Sequence, residues 1–250
     1  MEEAAELTKK ANSILFITGA GISADSGVPV YRGTGGLYND SLTEEKISIE
    51  EALSISMLHR KPEIPWRHIL RIEQTLRNVS PNAAHIAIAE LEKTKRVWTF
   101  TQNIDGLHKK AGQKNIIEIH GNVHSISCIQ CGFKVTQSDL SEIKEVPPLC
   151  PHCSSVMRPD VVLFGEMLPT LELKILDREL REGFDLIYSI GTTAVFPYIA
   201  SPIMEAKKNK TPTIEINPSQ TDISSYFTIC IRCGAAQAMK EILAKVFHKD

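Results

Sequence analysis

Six short runs of apolar, largely β-branched residues punctuate the chain at 14–18, 97–101, 116–119, 186–190, 213–216 and 228–231. Runs of this length and composition predict buried strands. Helix-length segments lie between them. One opens at Ser80-Pro81, a capping residue followed by proline in the first turn, and continues through Ala83, Ala87 and Leu91. A second covers 171–181 and stops at Gly183; a third spans 236–247. The alternation predicts an α/β fold, a Rossmann-like parallel sheet with helices on both faces. Two stretches break the rhythm. Residues 32–80 hold no clear strand and read as a glycine-rich loop followed by short helices. Residues 121–160 carry four of the six cysteines together with Pro147, Pro148 and Pro151. Both are expected to be insertions into one domain. Its large part then comes from about 1–31, 81–120 and 161–250, and its small part from 32–80 and 121–160.

Composition narrows the function classes. At 250 residues and 42% hydrophobic, the chain can bury a sizeable core. Its net charge of −2 lacks the basic excess of a phosphate-tracking protein, so direct nucleic-acid binding is not expected. No apolar run has membrane-spanning length, and the start, Met1-Glu2-Glu3, is acidic where a signal peptide is basic. A soluble cytoplasmic protein is the expectation.

The cysteines occur only as pairs: Cys128/Cys131, Cys150/Cys153 and Cys230/Cys233. Eighteen residues separate the first two pairs, within the spacing of a zinc ribbon. Four thiolates complete a tetrahedral Zn²⁺ and leave no position for water, so one structural zinc is expected, clamping a small module. Gly132 stands where the knuckle turns. The third pair sits in a strand-like segment whose alternation would send the two side chains to opposite faces, and it reads as buried apolar cysteine.

Directly after the first strand comes Gly19-Ala20-Gly21-Ile22-Ser23-Ala24, the G-x-G-x-x-G/A pattern with a strand before and a helix-like segment after. Such glycines let backbone N–H groups approach a pyrophosphate. A tight turn without a ligand would show the same residues, and it is the context that favours a dinucleotide. A dehydrogenase would need an acidic residue closing a second strand some 20 residues on. The sequence there is Gly35-Gly36-Leu37-Tyr38-Asn39-Asp40, with no strand before it, which weakens hydride transfer. Two other strands end in polar residues: 97–101 runs into Gln102-Asn103-Ile104-Asp105-Gly106, and 116–119 into His120-Gly121. At the carboxyl ends of parallel strands these face the same crevice as the glycine loop. There His120 reads as a general base rather than as a structural histidine.

Taken together, the run from Gly19 to Pro29, Tyr31-Arg32-Gly33, Thr101-Gln102-Asn103-Ile104-Asp105, His120-Gly121, the four spaced cysteines, the run from Arg158 to Glu166, Gly191-Thr192-Thr193 with Val195 and Pro197, and Ile216-Asn217 resemble the sirtuin signature in its order. The resemblance covers about residues 12–246. It implies an enzyme that consumes NAD to move the acyl group of a protein lysine to ADP-ribose, releasing nicotinamide, which is both product and inhibitor. Asn103, Asp105 and His120 would be catalytic. Ala20, Ser23, Asn103 and Asp105 would form the nicotinamide pocket, with Gly19, Gly21, Asp25 and Ile104 around it. Tyr31 and Arg32 would cover the ribose and phosphates, Gln102 would meet the nicotinamide ribose, and Gly191, Thr192, Thr193, Asn217 and Ala236 would hold the remainder. Val161, Phe164, Gly165 and Glu166 would meet the substrate peptide, bound as an added strand. The acyl oxygen would attack the ribose carbon that nicotinamide leaves, and His120 would then take a ribose hydroxyl proton.

Three positions depart from the usual pattern: Tyr31 for phenylalanine, Asp25 for glutamate and Thr193 for serine. Relatives that remove succinyl or malonyl groups resemble one another in a Tyr-x-x-Arg pair; aligned on Trp66, those positions here are Ile69 and Ile72, which points to neutral acyl groups. A mono-ADP-ribosyltransferase on the same scaffold is the nearest rival. A non-catalytic zinc-ribbon module would leave His120, Asn103 and Asp105 unexplained, and a nicotinamide oxidoreductase ranks behind it.

Overall fold

In a computed structural model, which describes residues 1–30, 42–137 and 139–247, the six predicted runs all become strands of one parallel sheet. In chain order the elements are α1 (Glu2–Lys10), β1 (Ser13–Thr18), α2 (Ile49–Ala52), α3 (Ile55–Arg60), α4 (Glu63–Leu76), α5 (Ala83–Glu92), β2 (Arg96–Thr101), α6 (Leu107–Lys110), β3 (Ile116–Glu118), β4 (Gly121–Cys128), β5 (Lys134–Thr136), β6 (Met157–Val161), α7 (Thr170–Glu182), β7 (Leu186–Ile190), α8 (Pro197–Lys208), β8 (Thr213–Ile216), β9 (Ile229–Ile231) and α9 (Ala235–Phe247).

The large sheet has the order β3-β2-β1-β7-β8-β9, every pairing parallel. Its central strands are buried on both faces, which is why they read as unbroken apolar runs. Successive side chains supply two separate cores. Ile14, Phe16, Leu186 and Tyr188 pack with α1, α5 and α9, while Leu15, Ile17 and Ile187 pack with α7 and α8. From β1 the chain builds outward through β2 and β3 on one side and through β7, β8 and β9 on the other. The order therefore reverses between β1 and β7, and their carboxyl ends open a crevice.

The smaller sheet, β5-β4-β6, is antiparallel and spans 121–161, the stretch expected to hold the zinc module, for which no individual strands were predicted. Its strands are short, and β6 contains Pro159, so neither composition nor alternation marks them. Part of the 42–80 stretch packs onto this sheet. The indole N–H of Trp66 in α4 donates to the carbonyl of Met157 at 2.8 Å, and Trp66 is buried with Ile126, Cys128, Leu140, Cys150 and Met157. At 14 residues α4 is longer than the short helices expected there.

Two helix starts differ from expectation. α5 is capped by Asn82 rather than Ser80: its side chain accepts from the Ala84 N–H at 2.9 Å, while His85 Nδ1 accepts from the Asn82 N–H at 3.3 Å. The helix after the glycine loop is replaced by two single 3₁₀ turns, Ala20–Ile22 and Ala24–Ser26. The third cysteine pair is also corrected. Cys230 is exposed, because it points away from the core on the sheet's edge strand β9 between the inward-facing Ile229 and Ile231, and Cys233 is half-buried against that core.

Candidate active site

The crevice is built where two glycine turns touch. The Gly19 N–H donates to the Ile190 carbonyl at 3.1 Å, and the Gly21 N–H to the Gly191 carbonyl at 2.8 Å. A Cβ on Gly191 would stand 2.3 Å from the Ile22 nitrogen and 2.4 Å from the Gly21 carbonyl carbon, and Gly191 has φ +61°. Only glycine fits there, on grounds of both space and backbone sign. Asn82 braces the loop from α5, its amide donating to the Ile22 carbonyl at 2.7 Å and to Ser26 Oγ at 3.0 Å.

A cavity of about 680 Å³ opens over these turns. Its polar end is walled by Gly19, Ala20, Gly21, Asp25, Gln102, Asn103, Gly191, Thr192, Thr193 and Asn217, with the 218–221 loop, which sequence reasoning missed. Gln102 Nε2 donates to Thr192 Oγ1 at 2.8 Å, and Asn217 Nδ2 to the Thr192 carbonyl at 3.2 Å, tying the ends of β2, β7 and β8 together. Ile104 lies on the wall as well. Ala236 does not. Its N–H donates to Asp25 Oδ2 at 2.9 Å, so Asp25 joins the start of α9 to the cavity rim. Tyr31 and Arg32 fall outside the described residues.

Behind the wall, Ser23, Asn103 and Asp105 form one hydrogen-bonded group. Ser23 Oγ donates to Asp105 Oδ2 at 2.7 Å, Asn103 Nδ2 donates to Ser23 Oγ at 3.2 Å and to the Gly19 carbonyl at 3.1 Å, and the Leu107 N–H reaches Asp105 Oδ1 at 2.9 Å. Ser23 and Asp105 are buried beneath the cavity and only Asn103 of the three faces it. Burial pushes the Asp105 carboxyl above its ordinary pKa, against the hydrogen bonds from Leu107 and Ser23.

His120 follows β3 and lines the cavity beside Gln102. Its Nδ1 lies 2.9 Å from the Gln102 carbonyl oxygen. A carbonyl only accepts, so Nδ1 carries the proton and Nε2 keeps its lone pair. Burial lowers the histidine pKa, with the Gln102 carbonyl opposing, which favours the neutral form a base needs. Nε2 is 2.7 Å from the Tyr198 hydroxyl. Tyr198 and its neighbour Phe196, both on the wall at the start of α8, were not expected, because no motif marks them.

From His120 the cavity continues into an apolar arm lined by Leu53, Ile69, Ile72, Ile104, Val161 and Phe164. Arg67 and Arg71 of the same helix as Ile69 turn away and pair with Glu45 and Glu44. Among the described residues no lysine or arginine lines the cavity. Val161, Phe164, Gly165 and Glu166 lie along the arm's edge, where the Phe164 N–H bonds the Leu53 carbonyl and the Phe164 carbonyl takes the Ile55 N–H. The Glu166 carboxylate is already committed: Arg158 holds it at 2.5 and 2.7 Å, the Leu163 N–H donates at 2.7 Å, and its pKa is lowered. It pins the 163–166 turn.

Away from the crevice, the Sγ atoms of Cys128, Cys131, Cys150 and Cys153 all lie within 4.8 Å of one another, with Cys128–Cys153 at 3.4 Å and Cys131–Cys150 at 3.6 Å. Tetrahedral Zn–S bonds of about 2.3 Å require S···S separations of about 3.8 Å, so the four thiols fit zinc. The two knuckles match. Gly132 at φ +72° donates its N–H to Cys128, and Ser154 at φ +59° donates to Cys150. Backbone and side-chain bonds from Ser155 hold the Cys153 thiol down to about 6.

The Sir2 family model matches residues 19–197 of the chain. The protein named NAD-dependent protein deacylase 2 from Pseudomonas syringae pv. tomato is 44% identical over 249 residues, covering 98% of this chain and 100% of its own. The crystal structure of a Sir2 homolog–NAD complex is 34% identical, covers 98% of this chain and 93% of its own, and superposes with a TM-score of 0.86. A Sir2 structure with a deacetylated p53 peptide and 3′-O-acetyl ADP ribose is 27% identical, covers 98% of both chains and also has a TM-score of 0.86.

Proposed function

This chain belongs to the Sir2 family, and on that premise we propose that it removes acyl groups from protein lysines, consuming NAD, transferring the acyl group to ADP-ribose and releasing nicotinamide. The observation that carries this reading is one cavity joining three things: a glycine cradle too close for any side chain, a neutral histidine with its basic nitrogen inward, and an apolar arm leading outward from it.

NAD, when bound, supplies a ribose carbon made electrophilic by loss of nicotinamide. The chain's own groups do the rest. The glycine turns at Gly19–Gly21 and Gly191, bare of side chains, let the phosphates approach the backbone, and Gln102, Thr192, Thr193 and Asn217 meet the riboses and adenine side. Asn103 faces the nicotinamide, its amide oriented by Ser23 and Asp105 behind it. His120 takes a ribose hydroxyl proton at Nε2 while the Gln102 carbonyl holds Nδ1–H. Val161, Phe164, Gly165 and Glu166 border the track of an extended peptide, with Glu166 acting through the turn it pins. Cys128, Cys131, Cys150 and Cys153 would hold one structural zinc, which closes the small sheet and takes no part in chemistry.

The apolar arm favours a neutral acyl chain. Ile69 and Ile72 offer a carboxylate no partner, and burying one unpaired is costly. Nucleic acid is not a partner on this reading, given the net charge of −2. Six cysteines without a disulfide support a reducing compartment, the cytoplasm. No helix of the described residues is long and apolar enough to cross a membrane.

Acetyl-, longer alkanoyl- and succinyl-lysine peptides incubated with NAD, read by mass spectrometry, test the proposal. Free lysine, acyl-ADP-ribose and nicotinamide should appear together, fastest for the uncharged acyl groups. Peptide that gains ADP-ribose and keeps its acyl group would establish a transferase instead, and faster desuccinylation than deacetylation would overturn the reading of the arm.

A further inference from the structure

Among the described residues, the side chain hydrogen-bonded to the reactive nitrogen of His120 is one that no sequence motif marks. α8 begins with Pro197, and Tyr198 stands beside it at the cavity wall, half-buried. The Phe196 and Tyr198 rings stack at 5.4 Å with 13° between their planes. Both meet the imidazole edge-on, at 6.3 Å and 82° for Phe196 and 6.1 Å and 87° for Tyr198. The Tyr198 hydroxyl lies 2.7 Å from Nε2. Since Nδ1–H is committed to the Gln102 carbonyl, Nε2 has only its lone pair, and the tyrosine must be the donor.

An imidazole nitrogen has one lone pair. It cannot accept from Tyr198 and from a ribose hydroxyl at once. We propose that Tyr198 is a positioning residue for His120: in the free enzyme its hydroxyl stands in the place that the reacting ribose hydroxyl must take, holding the ring in its reactive tautomer until the nucleotide displaces it. The inference rests on His120 being the base. Two consequences follow. Displacement opposes productive NAD use by about the strength of one net hydrogen bond, roughly 2- to 12-fold in an equilibrium constant. The same bond stabilises neutral imidazole, adding to the effect of burial. Among the described residues, the groups recorded against the ring are the Gln102 carbonyl and the rings of Phe196 and Tyr198. Of these Tyr198 is the one titratable group, and among the described residues no carboxylate or cation contributes to the shift of His120.

The test is Tyr198→Phe, which keeps the ring and its stack on Phe196 and removes only the hydroxyl. For the variant, kcat/KM for NAD should rise about 2- to 10-fold at neutral pH. Its acid limb should move to higher pH by about 0.3 to 1 unit, because the imidazolium is no longer disfavoured by a donor at Nε2. Nitrogen-15 NMR of His120 in the NAD-free proteins should show the same upward shift of its titration. A tenfold or larger fall in kcat would overturn the proposal, since the hydroxyl would then be carrying the proton rather than yielding its place. Unchanged kcat/KM with an unchanged His120 titration would overturn it too, because the contact would not exist in solution. The NMR reading separates this inference from the one beneath it. If His120→Ala still deacylates, the base assignment fails, whatever the Tyr198 contact shows.

Discussion

Replacing Gly191 with alanine should weaken NAD binding severely while leaving the fold in place. The added Cβ would stand 2.3 Å from the Ile22 nitrogen and 2.4 Å from the Gly21 carbonyl carbon, all backbone anchored by β1 and β7. Relief to an ordinary contact of 3.4 Å requires the two turns to part by about 1 Å, which breaks the 2.8 Å bond from the Gly21 N–H to the Gly191 carbonyl. The strain has two parts. Holding alanine at φ +61° costs about 1–2 kcal/mol, and forcing volume into a packed site costs about 1–3 kcal/mol. The sum, about 2–5 kcal/mol, should lower the melting temperature by roughly 4–20 °C in a chain of this size.

Gly183→Ala is the control. It has φ +84° with nothing within 4 Å of a Cβ, so it meets the backbone strain without the collision and lies at the far end of β7. Calorimetric titration with NAD should show affinity reduced about 10²-fold for Gly191→Ala and unaltered for Gly183→Ala, since a displacement near 1 Å at a cradle commonly costs that much. Both variants should retain their zinc, because the cysteines belong to the other sheet. Wild-type NAD affinity in Gly191→Ala would refute the reasoning, as would a melting temperature equal to that of the unaltered protein.

His120→Ala should fold, keep its metal and bind NAD, yet lose about 10²–10⁴ in kcat; near wild-type turnover with NAD bound would remove His120 as the base. In the wild type the acid limb of kcat/KM should fall below the ordinary histidine value of 6.5, because burial disfavours the imidazolium, and a limb at or above 6.5 would contradict that. Metal analysis should find one zinc per chain, lost in Cys128→Ala; protein that contains no zinc, or a variant that keeps it, would refute the four-thiolate site. Burial lowers His85 to about 3, with the positive charge of a neighbouring His108 adding to it, and burial lowers His108 to about 4. As pH falls below 6.5 the unfolded chain takes up protons that the folded one refuses, so stability present at neutral pH should be lost by up to about 1.4 kcal/mol per unit and per histidine until the folded values are reached. A melting temperature constant between pH 6.5 and 4.5 would refute this.

The parallel sheet was legible because each of its strands carries its own signal. A strand buried on both faces must be apolar throughout, and 14–18 or 186–190 show this without knowledge of their neighbours. The small sheet was not legible. β5 is three residues of mixed polarity, β6 includes a proline, and what stabilises them is Trp66 from a distant helix and the cysteines that close both knuckles. α1 escaped notice for a related reason. Its sequence is mostly charged, and only Ala4, Ala5 and Thr8 are buried, against partners that follow from tertiary packing. Asn82 competed with Ser80 as a cap and prevailed because its amide can also reach the Ile22 carbonyl across the crevice mouth.

The site divides along the same line. Residues that end a strand, such as Gln102, Asn103, His120, Gly191 and Asn217, are placed by the sheet itself, so position in the chain implies position in the crevice. Residues that act through a neighbour are not placed that way. Ser23 and Asp105 stand among motif residues yet lie beneath the cavity, and their effect reaches it through the amide of Asn103. Glu166 belongs to the run bordering the peptide track, but its carboxylate is taken by Arg158 and the Leu163 N–H. Ile69 and Ile72 reach the arm only because the helix packs with its arginines outward. Tyr198 is the extreme case: 78 residues separate it from His120, and nothing local to either one requires the contact. The sheet thus sets where chemistry can occur. How the base is held before the nucleotide arrives is decided by a helix start at the cavity wall, whose side chains local sequence does not constrain.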